Sequence, residues 1–266
     1  MVNVEEALTN MLSFSIVMCT WNSEPYVAQA VRSVLSQDHP NRELIFVDGG
    51  STDGTLERIH ALDCKKTILE NVKGGIAKAM NAGIDAARGD VIAHLHSDDY
   101  YYHDRVLSEV AQVLTSTGAQ WAFGRAMSDM NDGRVLPAGY VVPRYSYDRL
   151  LRANFIPHQA TFVRRSLFER VGRFDPQYRL AMDYDMWLRM AKLAEPAQSD
   201  SHWVAFRRHA GSLTTANYVK SMREDFGIRM KNAGWSPPSV LNHTARYAWR
   251  RARFYSRQIR AALGAH

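Results

Sequence analysis

The chain has 266 residues, 46% of them hydrophobic, and carries a formal net charge of +6. Its two cysteines, Cys19 and Cys64, are too few for a disulfide framework or for a zinc cluster of their own, and no apolar run reaches the ~18 residues that would span a bilayer. The acidic N-terminus lacks the basic start and the long apolar core of a secretory signal, which predicts a soluble, cytoplasmic protein.

Short apolar segments alternate with helical segments through the first half of the chain. Strands are predicted at 14–19, 43–48, 66–70 and 90–95. The helical segments between them indicate βαβ crossovers and a parallel sheet, whose ligands bind beyond the carboxyl ends of the strands. Polar clusters follow three of these strands, namely Thr20-Trp21-Asn22, Asp48 and Ser97-Asp98-Asp99.

The pattern becomes less regular beyond residue 120. A hairpin is predicted around Asp132-Gly133, and it is followed by a strand at 159–165, a helix at 183–194 and a strand at 203–209. Two helices complete the chain. The composition turns basic near residue 215, where we place a boundary.

Asp98 and Asp99 are adjacent carboxylates directly after an apolar strand. Since the two charges repel each other, a hard divalent cation with diphosphate oxygens completing its shell would suit them. The alternative is an Asp pair that caps the helix starting near His103. Asp48 also ends a strand, where we favour hydrogen bonds to a base or a ribose over a purely local turn with Ser51.

Asp183 and Asp185 begin a predicted helix and lie two residues apart, so they face different directions. A carboxylate here could act as a general base toward an acceptor hydroxyl. A doubly acidic helix N-terminus, favoured by the helix dipole, is the alternative. His209 follows the last predicted strand, and a lone histidine is more often structural than a ligand.

Several segments, in their order along the chain, resemble a family 2 glycosyltransferase: SIVMCTWN, ELIFVDGGSTDGT, GGIAKAMNAGIDAARGDVIAHLHSDD, GRFDPQYRLAMDYDMWLR and FRRHAGSLT. The resemblance implies an α/β fold of the GT-A type, an αβα sandwich with a mostly parallel central sheet. The implied catalytic domain covers residues 1–215, with a nucleotide-binding half at about 13–100 and an acceptor-binding half at about 101–215. A basic helical extension at 216–266 follows.

The activity implied by the resemblance is inverting transfer of a sugar from a nucleotide donor, with a UDP-sugar expected, to a hydroxyl of a cell-surface glycan or its lipid-linked precursor. Mn²⁺ or Mg²⁺ is the implied cofactor. The implied residues are Thr20, Trp21 and Asp48 for the base or ribose, Asp98 for the ribose, Asp99 for the metal, Asp183 as the base, and His209 as a further metal or diphosphate ligand. Met80 stands where the family often has Arg, so Lys78 is expected to supply the cation for the diphosphate.

The sequence departs from the family pattern at three further positions. Ser97 replaces the first acid of the metal motif, Gly49 the Asp that usually follows Asp48, and Met182 the Glu that usually precedes the base. These departures leave open a catalytically inactive sugar-nucleotide-binding or scaffold subunit. A transferase that uses a dTDP- or GDP-sugar is the other alternative.

The C-terminal extension is basic, because eight Arg or Lys residues and no acid follow Asp225. On a helix over 245–263 the arginines form one stripe, and a second stripe consists of Ala248, Trp249, Ala252, Tyr255, Ile259 and Leu263. Such a helix suits peripheral docking on an anionic membrane surface through 243–263, at the inner face of the cell membrane. Packing of the apolar stripe on the catalytic domain is the alternative, and no nucleic-acid partner is expected.

Overall fold

A computed structural model describes residues 11–139, 141–209, 217–233 and 237–262 of the chain. The side chains of 257–262, which include Arg257, Ile259 and Arg260 of the two predicted stripes, lie outside this description, as do Leu263 and the end of the FRRHAGSLT segment. No helix in the described ranges is long and apolar enough to cross a membrane.

The first half of the chain alternates strands and helices as predicted. Its elements are β1 (Phe14–Thr20), α1 (Glu24–Leu35), β2 (Arg42–Asp48), α2 (Thr55–His60), β3 (Lys66–Leu69), α3 (Ile76–Ala86) and β4 (Val91–His94). The four strands pair in parallel in the order β3-β2-β1-β4. Crossover helices between parallel strands place all four carboxyl ends at one edge of the sheet.

The second half extends the same sheet. Its elements are β5 (Tyr100–Tyr101), α4 (Val106–Thr117), β6 (Trp121–Asp129), β7 (Val135–Pro137), α5 (Tyr147–Arg152), a short 3-10 helix (His158–Ala160), β8 (Thr161–Arg164), α6 (Arg165–Val171), α7 (Met182–Ala191) and β9 (Ala197–Arg207). The sheet order is β3-β2-β1-β4-β8-β6-β9-β5, and β7 pairs with β6. β8 is antiparallel to both β4 and β6, whereas β6 and β9 are parallel.

The sheet is covered by helices on both faces. Phe14, Ile16 and Met18 of β1 pack in a core cluster with α1 and α4, while Val17 and Cys19 pack in a second cluster with α3 and α7. This alternation follows from the two-residue period of a strand, and it explains why β1 is apolar on both faces. The predicted αβα sandwich with a mostly parallel sheet is confirmed.

The C-terminal extension is helical, with α8 (Tyr218–Ala233) and α9 (Pro237–Ala262). α8 packs on the sandwich, since its Ile228 is buried in the core cluster that contains α7. In turn α9 packs on α8, where the Tyr247 ring stacks on Phe226 at 4.7 Å between centroids. The domain boundary near residue 215 stays a prediction.

Candidate active site

β1 and β2 end side by side, with Thr20 in register with Asp48. The Asp48 carboxylate is buried, and Oδ2 accepts hydrogen bonds from Thr20 Oγ1 at 2.9 Å and from Ser51 Oγ at 2.6 Å. Its Oδ1 accepts from the backbone N–H groups of Gly50 and Ser51, both at 2.8 Å. Asp48 therefore anchors the turn after β2, and its contact with a base or ribose stays a prediction.

Trp21 lies at the same edge with 68% of its surface exposed. Its neighbour Asn22 adopts a left-handed backbone conformation with φ of 47°. The Asn22 N–H donates to Ser51 Oγ, and its Oδ1 accepts from the Thr52 N–H, both at 2.9 Å. These bonds fix the loop after β1 to the turn after β2, so that Trp21 offers a free aromatic face beside Asp48.

Ser97, Asp98 and Asp99 follow β4 at the same edge of the sheet. Ser97 is buried and its hydroxyl is within 2.7 Å of Ser23 Oγ, a hydrogen bond that ties this loop to the loop after β1. The departure from an acid at position 97 therefore has a structural role. Asp98 Oδ2 lies 2.9 Å from His209 Nε2, which brings together two residues that are 111 positions apart in the chain.

The Asp99 carboxylate is buried with one oxygen unused. Oδ1 accepts a hydrogen bond from the Arg207 backbone N–H at 3.0 Å, while Oδ2 makes no hydrogen bond of normal geometry with a described residue. Burial and the adjacent Asp98 charge raise the pKa of Asp99 well above its usual range. A buried carboxylate oxygen without a partner is costly, and a cation would compensate it.

The residues at this edge fit a divalent cation in part. Asp99 offers a buried oxygen, and its neighbour in sequence, Asp98, is paired with His209, so that oxygen and nitrogen donors occur at this edge. No group of three or more His, Cys, Asp or Glu side chains in the described ranges is arranged as a complete metal site. Ligand oxygens from a diphosphate would have to complete the shell, as is usual for Mg²⁺.

Arg207, at the end of β9, is a buried cation that sequence reasoning missed. Its Nε donates to the backbone oxygen of Asp98 at 3.0 Å, and its guanidinium pairs with Asp129 at 3.4 Å. The same group lies over the rings of Tyr26 and Tyr100 at 5.1 and 5.5 Å. Arg207 thus fixes the position of residues 97–99, which we call the carboxylate loop. An arginine directly after the apolar run WVAF was the available signal.

Lys78 lies in the first turn of α3, where its side chain is exposed and its aliphatic part packs against Gly74. Gly74 has a φ of +113°, which only glycine adopts easily. Met80, which stands at the family's Arg position, is buried in the core beside β1. The role of Lys78 toward a diphosphate stays a prediction.

Asp183 lies in the first turn of α7, apart from the carboxylate loop in sequence. Its Oδ1 accepts from the Tyr184 backbone N–H at 2.7 Å, and its Oδ2 accepts from Asn154 Nδ2 at 3.3 Å. Burial, together with the negative charge of Asp225, raises the pKa of Asp183 to about 7. Asp185 points elsewhere and pairs with Arg189 at 2.7 Å, so the two carboxylates diverge as the spacing predicts.

The six residues 154–159 connect Asp183 with Asp99. At its start Asn154 bonds Asp183, and at its end Gln159 lies beside Asp99, where its side chain lowers the pKa of that carboxyl. Between them, the His158 ring stacks on His96 at 5.1 Å between centroids. Burial lowers the pKa of both histidines, so both rings stay neutral near pH 7.

The sequence of the chain matches a known protein family over the segment that contains most of these residues. The sequence model of glycosyl transferase family 2 matches residues 15–172, which is more than half of the chain and includes Thr20, Asp48 and the carboxylate loop. The chain belongs to glycosyl transferase family 2. The family is the one that the sequence motifs indicated.

Two curated relatives show how this glycosyltransferase compares in length. It is 26% identical over 258 residues to a chondroitin synthase of Pasteurella multocida (strain Pm70), an alignment that covers 92% of this chain and 26% of the relative. A PGL/p-HBAD biosynthesis glycosyltransferase of Mycobacterium bovis (strain BCG / Pasteur 1173P2) is 32% identical over 181 residues, 66% of this chain and 68% of the relative. The chain thus spans about a quarter of the length of the chondroitin synthase.

Solved structures share the fold of this glycosyltransferase. S. aureus TarS 1–349 in complex with UDP-GlcNAc superimposes with a TM-score of 0.67 at 20% identity, over 82% of this chain and 66% of that one. The mannosyltransferase PcManGT from Pyrobaculum calidifontis, in complex with GDP-Man and Mn²⁺, gives a TM-score of 0.67 at 17% identity, over 90% of this chain and 71% of that one. The expected GT-A-type fold is confirmed.

Proposed function

We propose that the chain is an inverting transferase that moves a sugar from a nucleotide donor, a UDP-sugar first of all, to a hydroxyl of a cell-surface glycan or its lipid-linked precursor. The observation that carries this proposal is Asp183, a half-buried carboxylate in the first turn of α7 whose pKa of about 7 suits a general base. The segment from Asn154 to Gln159 connects it to Asp99. This connection supports a site in which a base for the acceptor lies near the binding site for the diphosphate.

The donor would bind at the carboxyl edge of the parallel strands. Trp21 would stack on the base with its exposed face, and Thr20 and Asp48 form the rigid turn beside it. Asp98 would contact the ribose, and exposed Lys78 would approach the diphosphate from α3. The TarS complex with UDP-GlcNAc supports a UDP-sugar, and the PcManGT complex with GDP-Man keeps a GDP-sugar as the alternative.

The transfer would be a single displacement at the anomeric carbon of the donor sugar. Asp183 removes the proton of the acceptor hydroxyl while the oxygen of that hydroxyl forms the new bond and the nucleoside diphosphate leaves. Mn²⁺ or Mg²⁺, held by Asp99 with His209, would neutralise charge on the leaving diphosphate when bound. Arg207 keeps the Asp98-Asp99 loop in place through its backbone bonds.

The proposal is tested by measuring release of nucleoside diphosphate from a panel of nucleotide sugars, with Mn²⁺, Mg²⁺ or EDTA. We expect slow, metal-dependent release from one donor, and its loss in Asp99→Ala. Asp63→Asn, an exposed carboxylate after α2, is the matched control and should behave as wild type. If no donor is hydrolysed and no nucleoside diphosphate with metal raises the melting temperature, the inactive scaffold alternative is favoured.

We also propose that α9 docks the enzyme on an anionic membrane surface. The predicted stripe residues that the structure describes, Ala248, Trp249, Ala252 and Tyr255, are all exposed, so this part of the stripe does not pack on the catalytic domain. The side of α9 that does pack carries His243, which is buried, and the half-buried Tyr247 and Arg250. Arg246 and Arg253 are exposed beside the stripe, which suits anionic lipid headgroups.

Flotation with phosphatidylglycerol vesicles tests this docking surface. We expect binding that weakens with salt, is absent on phosphatidylcholine, and is lost in the double variant Trp249→Ala/Tyr255→Ala. Tyr102→Ala, which removes an exposed aromatic ring outside α9, is the matched control. Equal flotation of the double variant and the control would exclude α9 as the docking element.

A further inference from the structure

Glu224 of α8 holds the backbone that leads into α7. Its Oε2 accepts from the N–H groups of Leu180 and Ala181 at 2.8 and 2.9 Å, and its Oε1 accepts from the N–H of Arg179 at 3.2 Å. Ala181, the residue before α7, has no side chain that could cap the helix. A carboxylate at this end also interacts favourably with the helix dipole. Glu224 therefore holds the backbone segment that directly precedes α7.

α8 also reaches the second segment that touches Asp183. Arg229 is buried, and its Nη1 donates to the backbone oxygen of Arg152 at 3.0 Å. Arg152 ends α5 and lies two residues before Asn154, whose side chain donates to Asp183. One helix thus bonds to the backbone on both sides of the carboxylate, at 179–181 and at Arg152.

α8 is itself firmly placed. Ile228 is buried in the core cluster that contains α7, and Met222 is buried as well. From the other side, Arg250 of α9 pairs with Asp225 at 3.7 Å. Because α8 is held on both sides, the backbone groups that form hydrogen bonds with it are held in place as well.

We propose that Glu224 is a positioning residue of the transferase, which fixes the start of α7 so that Asp183 meets the acceptor hydroxyl. The inference deepens the proposed function and rests on Asp183 as the base. Like Asp183, Glu224 lies beyond the residues that match the family model, which end at 172. The C-terminal helices are then a required part of the catalytic unit.

Hydrogen exchange and kinetics of Glu224→Ala and Glu224→Gln test the proposal. We expect exchange at the amides of 179–181 to rise at least about tenfold in Glu224→Ala, because three N–H groups lose their acceptor. With the donor that wild type hydrolyses best, kcat should fall at least about tenfold while the donor KM changes less than about twofold. Glu224→Gln, which keeps one carbonyl acceptor, should lie between wild type and Glu224→Ala.

Glu169→Ala is the matched control, since Glu169 also lies on a helix but forms only an exposed pair with Arg165. Unchanged exchange at 179–181 in both Glu224 variants would overturn the proposal, whatever the activity. Faster exchange with wild-type kcat would overturn it too, since Glu224 would then be merely structural. A wild type that hydrolyses no donor would contradict the proposed function instead, and the exchange result would still decide whether Glu224 holds the start of α7.

Discussion

At the scale of single residues, the candidate site contains carboxylates in unlike surroundings. Asp48 has all its hydrogen-bonding capacity filled by the turn, Asp99 keeps one buried oxygen free, and Asp183 sits where burial opposes its charge. These differences in environment support the different roles that we propose for Asp99 and Asp183, although the side chains have the same chemistry.

The raised pKa of Asp183 predicts the pH dependence of turnover. Since only the deprotonated carboxylate can accept a proton, kcat should rise with pH through about 7 and level off above it. In Asp225→Asn a like charge is removed, so the pKa of Asp183 falls and the midpoint of the profile moves to lower pH. The charged groups around Asp225 are Glu224, Arg229 and Arg250.

A pH profile of donor hydrolysis between about pH 5 and 9, at saturating donor, measures this shift. Asp63→Asn again serves as the control, because it removes an exposed carboxylate far along the chain from α7 and α8. An identical midpoint in wild type and Asp225→Asn would show that Asp225 does not act on the base.

At the scale of elements, the parallel half of the sheet was predictable and the rest was not. Strands β1, β2 and β4 contain continuous apolar runs between turn signals, which is the pattern of strands buried on both faces. β9 begins at Ala197 rather than near 203, because QSDSH is polar and becomes a strand only by pairing with β6 across two register shifts. Tertiary pairing overrides local preference there.

Close packing of α3 on β1 predicts the effect of a single methyl group. Gly83 faces β1, and a Cβ at this position would clash with Val17 Cγ1, so Gly83→Ala should destabilise the fold by about 1–3 kcal/mol through overpacking. Gly227→Ala on α8 meets open space and should be neutral or stabilising by up to about 1 kcal/mol. Chemical denaturation of both variants measures the difference; a Gly83→Ala protein as stable as wild type would contradict this packing.

At the scale of the whole molecule, the site residues that could be predicted are those that belong to a sequence motif at the carboxyl end of a strand. Thr20, Asp48, Asp98 and Asp99 fall together because parallel strands bring their carboxyl ends to one edge. Asn154 and Glu224 could not be predicted, since each acts through a hydrogen bond to a segment distant in sequence. Arg207 had a sequence signal in its place after an apolar run, but its partners are equally distant in sequence. The family resemblance also ends near 215, so no sequence motif connects α8 with Asp183.

Also at the scale of the whole molecule, the C-terminal extension contacts the region of Asp183 on one side and leaves an apolar surface exposed on the other. α8 bonds to the start of α7 and α9 packs on α8, while the described part of the apolar stripe of α9 stays exposed. If α9 docks on a membrane, the base and the docking surface are joined through a single helix. An acceptor carried on a lipid would then be presented to a cleft held at a fixed distance from the surface.

The central claim is that Asp183 removes the acceptor proton, and turnover compared with donor binding in Asp183→Asn tests it most directly. The substitution keeps the size of the side chain and removes its basicity, so turnover should fall by roughly 10²–10⁴-fold. The dissociation constant of the nucleoside diphosphate with metal should stay within about twofold of wild type, because we assign Asp183 to the acceptor and not to the nucleotide. Turnover within a few-fold of wild type, in a variant that still binds the nucleotide, would contradict the account.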